Sequence, residues 1–118
     1  MPLLIINTSL DAISQSKLET LYRGGSQILS DEIGKSLDYC MVMVKEGCRL
    51  SFGQEWNHPS AYMEVKNVGT LPPELTSRLS GKLSELIEES IRVPRDRIYI
   101  EFQESQRHLW GWNGSTFA

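Results

Sequence analysis

Apolar and polar residues alternate, or apolar β-branched residues cluster, in four short segments of the chain. Both patterns are typical of β-strands, half-buried in the first case and fully buried in the second. They predict strands at residues 2–7, 39–44, 61–68 and 97–102. Residues 51–53 are expected to form at most a further short strand.

Two longer segments carry apolar residues at helical spacing. The first follows the sequence Ser16-Lys17-Leu18-Glu19, which has the S-x-x-E form of a capping box and predicts a helix start. Gly34 is expected to end this helix, and the pair Gly24-Gly25 to weaken or bend it locally. Its apolar positions are Leu18, Leu21, Tyr22, Leu29 and Ile33.

The second helix is expected to open at Pro72 and Pro73, because proline fits a first helical turn, and to be broken around Pro94. An apolar stripe between these prolines predicts the buried face of the helix. The stripe consists of Leu75, Leu79, Leu83, Leu86, Ile87 and Ile91.

The predicted elements follow the order strand, helix, strand, twice. Two β-α-β units form an α/β (α+β) fold, in which a four-stranded sheet carries both helices on one face. With 118 residues, the chain is expected to be a single domain spanning residues 1–118. Residues 3–6 and 40–44 are apolar on both strand faces, so the open face of the sheet needs a cover. The simplest cover is another copy of the chain, which predicts an obligate homo-oligomer.

Composition and charge narrow the range of partners. The chain has 12 Lys and Arg against 15 Asp and Glu, a formal net charge of −3, which disfavours a nucleic-acid partner. No segment approaches the ~20 apolar residues that span a bilayer, so no membrane partner is expected. The first residues lack a basic segment and reach Asp11 before an apolar region develops, which argues against a signal peptide. We therefore expect a cytoplasmic protein, with leaderless release left open.

Ligand-type residues are sparse. Cys40 and Cys48 lack C-x-x-C spacing and are interpreted as reduced, buried thiols. His58 and His108 are fifty residues apart without ligand-spaced neighbours, so no metal site is predicted. The glycine-rich, zincin and hydrolase motifs that would anchor cofactor binding or hydrolysis do not occur.

Pro2 is the residue with the most distinctive chemistry. Removal of Met1 would leave proline at the N-terminus, and its secondary amine would be a free, ring-constrained base. Burial at the start of an apolar strand would disfavour the charged amine, and a nearby cation would lower its pKa further. Such an amine would be neutral, and able to act as a base, near neutral pH.

Around Pro2 the chain closely resembles the macrophage migration inhibitory factor family, which includes the D-dopachrome tautomerases. The resemblance runs from the first residue to the last, with about one inserted residue near Trp56. Its most specific parts are the N-terminal proline, the D-R-x-Y-I segment and the G-W-N-x-S-T-F ending. The matching residues are Met1-Pro2, Ile5, Asn7-Thr8, Gly34-Lys35, Tyr39, Phe52-Gly53, Pro59, Val68-Gly69, Pro94, Asp96 to Ile100, and Gly111 to Ala118.

The resemblance implies a homotrimer whose sheets wrap into a central barrel, with active sites at the subunit interfaces. It also implies a cofactor-independent isomerase, a keto–enol tautomerase acting on phenylpyruvate or dopachrome-type compounds. Pro2 would be the catalytic base and Lys35 would bind the substrate carboxylate and help keep the amine neutral. Val68 would meet the substrate through its backbone N–H, and Tyr99 would reach in from the neighbouring subunit.

Three departures from the family pattern bear on the site. Glu101 stands where mammalian members carry a ligand-contacting asparagine, so we predict weaker tautomerase activity or a shifted substrate preference. Trp110 is bulkier than the usual aliphatic residue and is expected to narrow the pocket mouth. Residues 60–63 replace a C-x-x-C, so a thiol oxidoreductase activity does not carry over.

Two other function classes stay open at this point. One is a cytokine-like signalling or binding protein with a vestigial pocket, although a receptor cannot be derived from the residues. The other is a ferredoxin-like binding domain such as an RNA-recognition module, which shares the order of strands and helices. This second alternative lacks the paired aromatic platform on its strands and conflicts with the acidic charge.

Overall fold

The computed structural model describes all residues, 1–118, and contains two helices packed on one face of a four-stranded sheet. The strands are β1 (Pro2–Thr8), β2 (Met41–Lys45), β3 (Ala61–Val68) and β4 (Ile98–Ser105), and the helices are α1 (Gln15–Ile33) and α2 (Pro73–Ile91). A small hairpin of β5 (Gly111–Trp112) and β6 (Ser115–Thr116) follows. The predicted α/β (α+β) fold is confirmed. No helix combines the length and the apolar character that crossing a bilayer requires.

The main sheet is mixed, with strand order β2-β1-β3-β4. Each β-α-β unit supplies one parallel pair, β1 with β2 and β3 with β4, and the two units join through antiparallel β1 and β3. The shared register places Pro2 opposite Asn67, which in turn lies opposite Glu104. Residues that lie opposite one another share a face of the sheet, whereas successive residues along each strand alternate between the helix-covered face and the open face.

The core lies between the helices and the sheet. Leu4 and Ile6 of β1 are fully buried, and so are Met63 and Val65 of β3. The apolar stripe predicted for α2 supplies four further core residues: Leu79, Leu83, Ile87 and Ile91 are buried. An ion-pair network ties the two helices together at the surface. Glu32 of α1 accepts from Arg78 and Lys82 of α2, each at 2.8 Å.

The predicted starts of α1 and β2 are wrong for local reasons, whereas the end of α2 and the absence of a long strand at residues 51–53 agree with the predictions. Helix α1 is capped by Ser14 rather than Ser16, since the Ser14 hydroxyl accepts from the Lys17 amide. Helix α2 ends at Ile91, the last residue of its predicted stripe, and Arg92 caps it in the left-handed conformation just before Pro94, as expected. Strand β2 starts at Met41 because the preceding residues form a 3₁₀ turn, in which the Ser36 hydroxyl accepts from the Asp38 amide. Residues 51–53 contribute only an isolated bridge between Phe52 and Glu55, which agrees with the expectation of at most a short strand there.

The open face of the sheet is only partly apolar. Its β1 and β2 half carries Leu3 and Met41, and Met41 is 61% exposed. Its β3 and β4 half carries Glu64, Lys66 and Glu101 instead. An oligomer that covers this face would therefore bury an apolar strip beside a charged one.

Helix α1 passes through Gly24-Gly25 without interruption, and the two glycines meet different neighbours. A Cβ on Gly24 would lie 2.7 Å from Cδ1 of the half-buried Leu86, a side-chain end that can turn away. A Cβ on Gly25 would lie 2.9 Å from Cδ2 of Leu4, which is fully buried, and 3.3 Å from Val42. Gly25 therefore sets how closely α1 approaches the sheet.

This difference predicts opposite effects for two matched alanine substitutions. Both gain about 1 kcal/mol of helix propensity. Gly24→Ala is expected to be neutral or stabilising, whereas Gly25→Ala is expected to destabilise by about 1–2 kcal/mol because it overpacks the core. Urea unfolding of both variants checks this prediction, and equal midpoints would contradict it.

Candidate functional site

The start of β1 forms the floor of a cleft of about 240 Å³. Pro2 is buried there, and Trp110 lies on the wall of the same cleft. The remaining lining comes from the segment before β2 and from the C-terminal hairpin: Met1, Leu3, Asp38, Tyr39, Cys40, Met41, Gly111, Trp112 and Phe117. The cleft therefore combines a chain-start amine with a largely apolar and aromatic wall.

Lys35 supplies a positive charge that acts on this amine. It follows the left-handed Gly34 that ends α1, and its Nζ donates to the Val68 carbonyl at 3.2 Å. Through this bond the ammonium group of Lys35, whose backbone follows the end of α1, contacts the end of β3. The structure thus brings three of the predicted site residues, Pro2, Lys35 and Val68, to one end of the sheet.

The electrostatics of the cleft favour a neutral amine. The pKa of the Met1 amine is lowered, first by burial and then by the positive charge of Lys35, while Cys40 acts in the opposite direction. Burial likewise raises the pKa of the Cys40 thiol. Both groups are therefore shifted toward their uncharged forms, as expected where solvation is poor.

Tyr99 and Glu101 do not reach the cleft within one chain. On β3, Tyr99 lies opposite Tyr62 and Pro2 lies opposite Asn67. Tyr62 and Asn67 are five residues apart, so about 17 Å of strand, at ~3.3 Å per residue, separates the level of Tyr99 from that of Pro2. Tyr99 is 67% exposed and packs against Phe52 with ring centroids 4.9 Å apart. It also lines a second cavity, of about 270 Å³, at the opposite end of the sheet.

Arg97 organises the loop beside Tyr99. Its guanidinium donates to the carbonyls of Phe52, Glu55, Pro59 and His58 at 3.0–3.3 Å. These bonds fix the loop 52–59 against the start of β4. Any role of Tyr99 in the Pro2 cleft requires a second copy of the chain and stays a prediction.

Glu101 is engaged by Tyr62, one of the residues that replace the family's C-x-x-C. The Tyr62 hydroxyl donates to Glu101 Oε1 at 2.7 Å on the open face of the sheet. This bond, together with the charge of Glu101, raises the pKa of Tyr62 to about 12. Two departures from the family pattern are therefore in direct contact.

The contact gives a prediction for Glu101→Asn. Asparagine keeps an acceptor but removes the negative charge that opposes phenolate formation, so the pKa of Tyr62 is expected to fall toward its ordinary value. Absorbance titration of the phenolate measures the shift, and the Tyr62→Phe variant identifies which of the tyrosine signals moves. An unchanged titration in Glu101→Asn would contradict the role given to Glu101.

The aromatic wall of the cleft is the part that the sequence analysis missed. Trp112 meets Tyr39 edge-on at 5.3 Å and stacks on Phe117 at 6.2 Å. The hairpin that presents Trp112 turns at Asn113 and Gly114, both with positive φ. Asn-Gly is the strongest short hairpin signal in a sequence and would have predicted the turn. Cys40, which also lines the cleft, and Cys48 form no disulfide and are half-buried rather than buried.

Comparison with known proteins agrees with the fold and extends over the full chain. The family model of macrophage migration inhibitory factor matches residues 1–118. A macrophage migration inhibitory factor from Meriones unguiculatus is 30% identical, and a homologue from Brugia malayi is 28% identical, each with full coverage of both chains. The crystal structure of a homologue from Prochlorococcus marinus is 34% identical, with a TM-score of 0.91 over 98% of this chain and 99% of that one. The chain therefore belongs to the macrophage migration inhibitory factor family.

Proposed function

We propose that the chain is a cofactor-independent keto–enol tautomerase, an isomerase of the phenylpyruvate or dopachrome type, in which the amine of Pro2 is the base after removal of Met1. The observation that carries the proposal is the depressed pKa of the chain-start amine in the cleft. Burial and the charge of Lys35 lower the pKa of the Met1 amine. Pro2 is more deeply buried than Met1. The same two influences would act on a free Pro2 amine.

The reaction would begin when a 2-keto acid places C3, the C–H carbon next to its keto group, over the Pro2 nitrogen. The nitrogen lone pair takes a proton from that carbon, and the C–H electron pair forms the enolate double bond while the carbonyl electrons move to oxygen. The protonated amine then delivers its proton to the enolate oxygen, which gives the enol. The reverse direction returns the proton to carbon, so no net charge or electron is lost.

Lys35 is proposed to bind the substrate carboxylate. Its Nζ has one contact with the Val68 carbonyl, which leaves donors free for a second partner. A carboxylate held there would neutralise the lysine charge only in the bound state, while the free enzyme keeps an uncharged amine. The aromatic wall of Tyr39, Trp112 and Phe117 would pack against an aromatic substituent such as the phenyl ring of phenylpyruvate.

The full site is proposed to form in a homotrimer. In their own chain, Tyr99 lies about 17 Å along β3 from the position of Pro2, and Glu101 lies on the open face of the sheet whereas Pro2 lies on the helix-covered face. They could therefore serve a cleft only across a subunit boundary. The exposed Met41 on the open face of the sheet is consistent with such an assembly. Sedimentation as a 13.4 kDa monomer at micromolar concentration would argue against it.

A matched pair of chains tests the proposal. One is the protein processed to Pro2, verified by intact mass; the other carries an extra alanine after Met1, which leaves the Pro2 nitrogen in an amide. Absorbance follows phenylpyruvate interconversion by both. The processed chain is expected to accelerate the reaction and the extended chain to be inactive. Equal rates would overturn the amine mechanism, and inactivity of both would favour the binding or signalling alternative.

A further inference from the structure

Asn67 is a buried polar side chain with an unused acceptor. Only 1% of the residue is exposed, and no donor forms a hydrogen bond with its Oδ1. An unpaired amide oxygen is costly inside a protein, so native structures rarely leave one without a partner. The position of Asn67 indicates which partner is missing.

Asn67 lies directly opposite Pro2 in the antiparallel pair of β1 and β3. The Ser9 amide donates to the Ser60 carbonyl at 3.1 Å, which makes residues 9 and 60 a hydrogen-bonded pair. Since the two pair types alternate, Pro2 and Asn67 form a non-hydrogen-bonded pair, whose Cα atoms lie about 4.5 Å apart with close side chains. Both residues are buried and lie on the helix-covered face of the sheet.

The remaining neighbours of the amide group do not satisfy the oxygen. The Nδ2 branch is the one near Gly69, where an added Cβ would lie 3.7 Å from it, and the Oδ1 branch is buried without a hydrogen-bond partner. Lys35 donates to the adjacent Val68 carbonyl rather than to Asn67. The Pro2 nitrogen has no hydrogen to give while it is bonded to Met1.

We propose that Asn67 is a positioning residue for the Pro2 amine, whose N–H, released when Met1 is removed, donates to Asn67 Oδ1. The inference rests on the proposed function in treating Pro2 as the terminal base. Neutral proline has one N–H, so this bond would fix which way the lone pair points. The protonated amine has two, so the bond would also stabilise the charged form and moderate the lowering of its pKa by burial and Lys35.

Other charged or titratable groups lie at the same end of the sheet and also influence the pKa of the Pro2 amine. Glu104, opposite Asn67 on β4, accepts from the Leu71 amide at 2.6 Å, and Arg107 donates to the Phe117 carbonyl at 2.8 Å. The groups that line the cleft, act on its amine or contact neighbouring residues are Lys35, Asp38, Tyr39, Cys40, Glu104 and Arg107. None of them donates to Asn67, so substitution of Asn67 leaves their contacts in place.

The test is an NMR titration of the processed protein labelled with ¹⁵N-proline, in which only Pro2 has a titrating nitrogen. Loss of the acceptor in Asn67→Leu is expected to lower the pKa of Pro2 by about one unit. A negative charge in Asn67→Asp is expected to raise it by about one unit or more. Ser60→Ala removes the other unpartnered buried oxygen, at the far end of β3, and is expected to change nothing.

An unchanged pKa in Asn67→Leu, or in Asn67→Asp should the leucine variant fail to fold, would overturn the inference. A purely structural role would change the unfolding temperature without opposite pKa shifts in the two variants, and that result would also overturn it. The titration needs no substrate, so it separates the two proposals. If the protein turns over substrate through Pro2 but the Asn67 variants leave the pKa of Pro2 unchanged, only the role of Asn67 is refuted. If the two variants shift the pKa of Pro2 in opposite directions but there is no turnover, only the tautomerase proposal is refuted.

Discussion

Replacement of Pro2 by glycine is expected to lower kcat/KM for phenylpyruvate by at least about 100-fold, the lower end of what a positioned general base contributes. Glycine still offers a terminal amine after Met1 is removed. That amine, however, is primary and no longer held in a ring, so its lone pair is not fixed over the substrate. The measurement is the initial rate of interconversion, followed by absorbance, across a range of substrate concentrations.

The structure allows this substitution to be separated from misfolding. Pro2 donates no backbone hydrogen bond, so glycine removes none from the sheet. The greater freedom of glycine in the unfolded chain is expected to cost about 0.4–1 kcal/mol of stability, which urea unfolding would show as a small shift. Wild-type activity in a folded Pro2→Gly protein would show that the reaction does not need the ring-held secondary amine of proline, and would contradict this prediction.

Replacement of Lys35 by methionine is expected to change both the rate and its pH dependence. Loss of a charge-assisted contact to the substrate carboxylate should lower kcat/KM by about 10- to 100-fold. Lys35 also lowers the pKa of the chain-start amine, so its removal should raise the pKa of Pro2. The base acts only when deprotonated, so the acidic limb of the pH profile should move to higher pH.

Two further variants distinguish these effects of Lys35. Lys35→Arg keeps the positive charge, so it should leave the pH profile near that of the wild type while raising KM through altered geometry. Lys17→Met removes a lysine from the exposed first turn of α1, at the other end of the helix, and should alter neither quantity. A pH profile in Lys35→Met identical to the wild type would contradict the electrostatic role.

The elements of the fold could be predicted because their signals are local. The two prolines that open α2 and its apolar stripe both follow from sequence spacing, and the structure has them as expected. The start of α1 was misplaced because Ser14 and Ser16 are both competent caps, and only the backbone geometry selects Ser14. Strand β4 extends beyond the predicted Phe102 because Gln103 to Ser105 pair with β3, a partner that no local pattern shows.

The candidate site likewise has a part that could be predicted from the sequence and a part that could not. Pro2, Lys35, Val68 and Trp110 were identified from the residues and the family resemblance, although their roles stay predictions. The aromatic wall was missed, because the C-terminal hairpin and the start of β1 are distant along the chain and line one cleft only in the tertiary structure. The contact between Tyr62 and Glu101 depends on the register of β3 with β4, which no single segment encodes.

The sequence alone determined the two β-α-β units, the helix-covered sheet face and the chemistry available at Pro2, since periodicity and residue type carry this information. The tertiary structure decided what surrounds that amine. Burial, the reach of Lys35 to the Val68 carbonyl and the place of Asn67 opposite Pro2 arise from contacts between residues distant along the chain. Such contacts depend on strand register and packing, which local spacing does not specify.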